Sequence, residues 1–89
     1  MTSAVVEVRR QNVETQINRF CKQHGGGGSV TYDAKLGVIL VHYHCTLNDD
    51  KLQLLIPVTL SEASKVTVYT TIVRRIASQI YETIRQEEI

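Results

Sequence analysis

The ten residues VILVHYHCTL, Val38–Leu47, are almost entirely β-branched, aromatic or leucine, the composition of a strand rather than a helix. The stretch before them, SVTYD from Ser29 to Asp33, also alternates, and DAKLG joins the two as a tight turn with Gly37 at its exit. After them, LNDDK supplies the Asn and Asp of a second turn, and LQLLIPV from Leu52 to Val58 follows as a third strand. Connections this short join antiparallel neighbours. Pro57 has no N–H to give a ladder, which places the third strand at an edge or Pro57 near its end.

Two helical patterns bracket the three strands. Val6, Val13, Ile17 and Phe20, with Cys21 beside them, fall near helical spacing. Arg10, Glu14, Asn18, Arg19 and Lys22 take the other side, and Gly25 supplies the stop. The helix is read from about Ser3, although AVVEVRR is also strand-like by propensity, in which case Asn12 would cap a later start. Towards the C-terminus Ile72, Ile76, Ile80 and Ile84 recur every four residues, supported by Tyr69, Val73 and Ala77. Thr59 and Glu62 have the spacing of a capping box, with Ser61 as the competing cap. One long helix is expected after it. The fold class is therefore α+β, in the order α-β-β-β-α, a three-stranded antiparallel meander with two helices on one face.

Between the first helix and the first strand stands GGGGS, Gly25–Ser29. Phosphate-binding glycine loops follow a strand and open a helix; here the order is reversed. The five residues spell the standard flexible Gly/Ser unit, and the reading is an inserted, passive linker between a helix (1–24) and a βββα unit (30–89) within a single domain. Five residues reach at most about 17 Å, so the end of the helix and the start of the sheet must be neighbours. A tethered partner helix would carry the same pattern.

The 89 residues suit one domain, and the apolar and charged fractions, 43% and 21%, are those of an ordinary globular chain. A formal net charge of +1 argues against a strongly electrostatic nucleic-acid binder. No run is long and apolar enough to span a membrane or resembles a signal peptide. Cys21 and Cys45 lack C-x-x-C spacing and read as reduced thiols, which suits the cytoplasm or nucleus.

Catalytic and metal readings find little purchase. His42 and His44 leave the same face of a strand, a common way to offer two imidazoles to a metal, but no third ligand follows from the spacing. Cys45 beside His44 faces the opposite way in a regular strand, so the two cannot act as nucleophile and base. Asp49 and Asp50 fall in a turn that favours such residues for backbone reasons. No enzyme, metal or cofactor is expected.

The face of the sheet away from the helices carries more information. Val38, Leu40 and Leu55 share it with His42 and His44, and Tyr32 is read as joining them. That set is too apolar for a fully wetted face, and exposed apolar patches mark interaction surfaces. The primary expectation is a non-catalytic protein-protein interaction or assembly module, as a homo-oligomer or within a hetero-complex.

The order α-β-β-β-α, with INRFCKQHG and then ILVHYHCTLNDDKL, resembles the layout of a double-stranded RNA-binding domain from Val13 onward. The resemblance implies RNA binding as the second reading, with Arg9, Arg10, Arg19, Lys22, Arg74 and Arg75 as the charges to suspect. The family's basic cluster would fall at Lys65, in SEASKVT, and its loop between the first two strands at DAKLG.

Overall fold

A computed structural model describes residues 2–87. Helix α1 runs Ser3–His24, strands β1, β2 and β3 run Gly27–Asp33, Val38–Leu47 and Asp50–Thr59, and helices α2 and α3 run Leu60–Ala63 and Val68–Glu87. The strands form one antiparallel sheet in the order β1-β2-β3. The α+β class and the meander agree with the sequence reading. Three boundaries differ from it, among them the start of β3, which takes in Asp50 and Lys51 from the expected turn. The last helix is broken at Ser64–Thr67, where the amides of Ser64 and Lys65 turn back three residues to the carbonyls of Ser61 and Glu62, in the tight manner that ends a helix. KVTV has poor helix propensity, and Val66 is fully exposed, so no burial offsets that weakness. Strand β1 also starts two residues earlier than SVTYD suggests, at Gly27.

Each turn follows from its residues. Asp33 accepts the amides of Lys35 and Leu36 through Oδ1, at 2.9 and 3.0 Å, and Gly37 closes the loop at φ +66°. Asn48 and Asp49 alone connect β2 to β3, both at positive φ (52° and 68°). This is the primed geometry whose twist matches a hairpin, and Asn and Asp tolerate it better than most residues.

Alternation divides the sheet. Val30, Ile39, Val41, Tyr43, Leu54, Ile56 and Val58 are buried on the inner face. Val13, Ile17 and Phe20 of α1 meet them, together with Ala63, Val68, Ile72 and Ile76 from the two C-terminal helices. Tyr32 pairs with Ile39 and packs on this core. Its expected place on the outer face is corrected, because strand parity puts it with Val30.

The helices also reach past the sheet's sides. Arg10, held by Glu7 and Glu14, donates from Nη1 to the Val30 carbonyl at 3.0 Å. Arg75 donates to the Pro57 carbonyl at 2.7 Å and Gln79 to that of Leu55 at 2.9 Å. Those carbonyls therefore point off the free edges of β1 and β3. Pro57 lies where an N–H would have pointed at solvent, so its missing donor disturbs no ladder.

Glu62 ties α2 to this arrangement. The Thr59–Glu62 capping box forms as the spacing predicts, and the Glu62 carboxylate also takes both Nη atoms of Arg75. Arg75's guanidinium first, then the Thr59 amide, lower the carboxyl from 4.5 to about 2. A depressed carboxyl stabilises the fold above its unfolded value and loses that contribution as pH falls through its folded one. Thermal melts should show stability declining between about pH 4.5 and pH 2, and Glu62→Gln should flatten that decline. An unchanged profile in the variant would place the acid sensitivity elsewhere.

Candidate functional site: the outer face of the sheet

Register fixes the outer face row by row. Asp33, Val38 and Thr59 form one row, followed by Thr31, Leu40 and Pro57, then Ser29, His42 and Leu55, then Gly27, His44 and Gln53, with Thr46 and Lys51 last. All five residues that the sequence assigns to a contact, Val38, Leu40, His42, His44 and Leu55, lie together here. Val38 and Leu40 are half-buried by their neighbours, while His42, His44 and Leu55 are exposed, Leu55 to 50%. Pro57 joins the apolar group, beside Leu40 and two residues from Leu55. The sequence reading used Pro57 only as a ladder breaker, although counting by twos from Leu55 finds it.

The result is an apolar centre of Val38, Leu40, Leu55 and Pro57. A polar margin of Thr31 and Ser29 lies on one side, and His44, Gln53, Thr46 and Lys51 lie at one end. His42 Nε2 lies 3.2 Å from Thr31 Oγ1, which turns its ring toward β1. The His44 ring lies against the backbone of Gly27: a Cβ there would stand 2.6 Å from His44 Nε2. That ring is the movable end of an exposed side chain, and what fixes Gly27 is its pairing with His44 in the sheet.

Gly26 is constrained by the backbone itself. Its φ is +83°, and a Cβ would fall 2.5 Å from the His44 carbonyl oxygen and 2.7 Å from the Tyr43 hydroxyl. Tyr43 donates from that hydroxyl to the Gly25 carbonyl at 2.9 Å, and burial pushes its pKa up to about 12. A passive Gly25–Ser29 linker would need none of this geometry. Only Gly25 and Gly26 lie outside regular elements, and the next three residues belong to the sheet.

Around this end of the sheet His24, Gly25, Gly26, His44, Cys45, Thr46, Lys51, Leu52 and Gln53 line an open cleft of about 540 Å³. Cys45 pairs with Leu52 on the inner face while His44 faces out, as strand parity requires. Among the described residues no group of three or more His, Cys, Asp or Glu side chains is placed to hold a metal ion, and no helix is long and apolar enough to cross a membrane.

Four of the six suspected cations make contacts within the chain. Arg9 donates to the Leu60 carbonyl at 3.0 Å, and Arg10 and Arg75 hold the sheet edges. The Arg19 guanidinium lies 4.0 Å above the centre of the Tyr69 ring. Lys22 and Arg74 are exposed, on different helices. From Arg9 to Lys22 is about 20 Å along α1. The connection between β1 and β2, where the RNA-binding family has its loop, is a turn of Ala34–Gly37.

No family model, curated protein or solved structure matches the chain significantly.

Proposed function

We propose that the chain is a non-catalytic protein-protein interaction module that docks through the outer face of its sheet. One observation carries the reading: the face has an apolar group, Val38, Leu40, Leu55 and Pro57, flanked by polar residues on the β1 side and at one end, a mix of apolar core and polar rim found at protein interfaces. The edges support it by exclusion. Strand addition needs free backbone groups along an edge. Arg10, Arg75 and Gln79 already occupy carbonyls there.

Burying the apolar centre against a partner recovers about 25 cal/mol for each Å² removed from water. His42 and His44 sit at the margin of the apolar group. Leu40→Asp should abolish assembly at neutral pH while leaving the melting temperature near the parent's. Light scattering of the parent and the variant decides the matter. A variant that keeps the parent's assembled mass removes this face as the contact.

A further inference from the structure

We infer that Cys21 and Cys45 close an intramolecular disulfide between the last turns of α1 and β2, with a small-molecule disulfide as the oxidant. Both thiols are free and half-buried, and both pack against the same core. Neither lies on the outer face of the sheet, so docking there leaves both unused.

The glycines of β1 set the level at which the two meet. Later residues of α1 reach earlier residues of β1: Arg10 meets Val30, and Ile17 meets Gly28, where a Cβ would stand 3.0 Å from Ile17 Cγ1. Gly28 pairs with the inward-facing Tyr43, so Ile17 rests on the strand backbone beside it. From that contact four residues of helix rise about 6 Å to Cys21. Two residues of strand rise about 6.6 Å from Tyr43 to Cys45. The two cysteines thus arrive at the same level, each on the side of its element that packs on the core. A disulfide needs Cα atoms about 4.4–6.8 Å apart, closer than a helix and a sheet come when full side chains separate them. Gly26 and Gly28 leave that space to the helix.

Tyr43 marks the meeting point. Its hydroxyl donates to the Gly25 carbonyl at 2.9 Å, and the Gly25 amide donates to the Cys21 carbonyl at 2.8 Å. Burial first, then the Cys45 and Cys21 thiols, push the pKa of that hydroxyl up, so both sulfurs lie near it.

Access orders the attack. Cys45 lines the open cleft beside Gly25 and Gly26, and Cys21 does not. Burial also pushes the Cys21 thiol up, and the thiolate is the attacking form. The Cys45 thiolate attacks one sulfur of the small disulfide, forming a mixed disulfide and releasing the first small thiol. The Cys21 thiolate then attacks Cys45 Sγ, forming the internal bond and expelling the second. Two thiols of the chain are oxidised, one small disulfide is reduced to two thiols, and the two protons pass to those products.

The test is incubation of the folded parent and of Cys21→Ser with oxidised glutathione, read by intact mass and thermal melting. The parent should end two hydrogens lighter, as a single chain with no glutathione retained. Its oxidised form should melt about 10 °C higher or more, because the bond removes loop entropy from the unfolded chain. Cys21→Ser should stop with one glutathione on Cys45, and a variant that takes up none overturns Cys45 as the first nucleophile. A parent that keeps glutathione, links two copies or does not react overturns the disulfide. So does an internal bond that lowers the melting temperature, since the fold would then hold the two cysteines apart.

Discussion

Alanine at Gly26 is expected to lower folding stability by about 2–5 kcal/mol, the sum of a left-handed backbone angle and an overpacked contact. The φ of +83° is unfavourable for any L-residue, and the new Cβ meets the His44 carbonyl oxygen, which the β2 backbone fixes in place. Gly25 is the matched control. Its φ of +85° carries a similar conformational penalty, but nothing stands within 4 Å of its absent Cβ. Gly25→Ala should therefore fall short of Gly26→Ala by about 1–3 kcal/mol, the clash alone. Urea unfolding of both variants reads the difference. Equal midpoints would mean that the chain between α1 and β1 moves freely enough to relieve the contact, as a passive linker would.

Ile72→Ala and Ile76→Ala should each cost about 2–5 kcal/mol, because large-to-small changes in a closed core lose transfer energy and leave a cavity. Ile72 is 0% exposed and Ile76 1%, so little relaxation is available to fill the space. They hold α3 to the inner face of the sheet and to α1, and their loss acts on the packing of both layers. Ala77→Gly, on the exposed side of the same helix, tests propensity without burial and should cost about 1 kcal/mol. Guanidinium unfolding that finds all three variants alike would remove the assigned core face of α3.

Much of this architecture is legible in local pattern. The alternation of Val38–Leu47 places Ile39, Val41 and Tyr43 on one face and Leu40, His42 and His44 on the other, because strand parity is a property of the backbone. The four-residue recurrence of Ile72, Ile76 and Ile80 works in the same way for α3. Turn chemistry placed Gly37 and the Asn48–Asp49 pair. What escapes is whatever depends on packing between distant residues. Tyr32 is assigned to the wrong face when its parity is not counted from Val30. The break at Ser64–Thr67 depends on Val66 having nothing to pack against. Gly27 looks like a spacer because His44, the strand partner that draws it into the sheet, is seventeen residues away in sequence. The edge contacts of Arg10, Arg75 and Gln79 are equally invisible, since a polar donor on a helical surface has the same sequence signature whether it faces water or a carbonyl. The sequence groups Val38, Leu40, His42, His44 and Leu55 on one face, where the register also puts them, and the register adds Pro57.

The Asn48–Asp49 turn also sets an order in time. Two residues close β2 on β3, and ten cross-strand pairs then follow from Leu47↔Asp50 to Val38↔Thr59 without any long loop being drawn in. Loop-closure entropy is smallest for such a local element, and hairpins of this kind form within about 1–10 μs. The packing of α1 on α3 joins opposite ends of the chain, whereas the hairpin needs only its own two-residue turn, so of the two the hairpin costs less entropy to close.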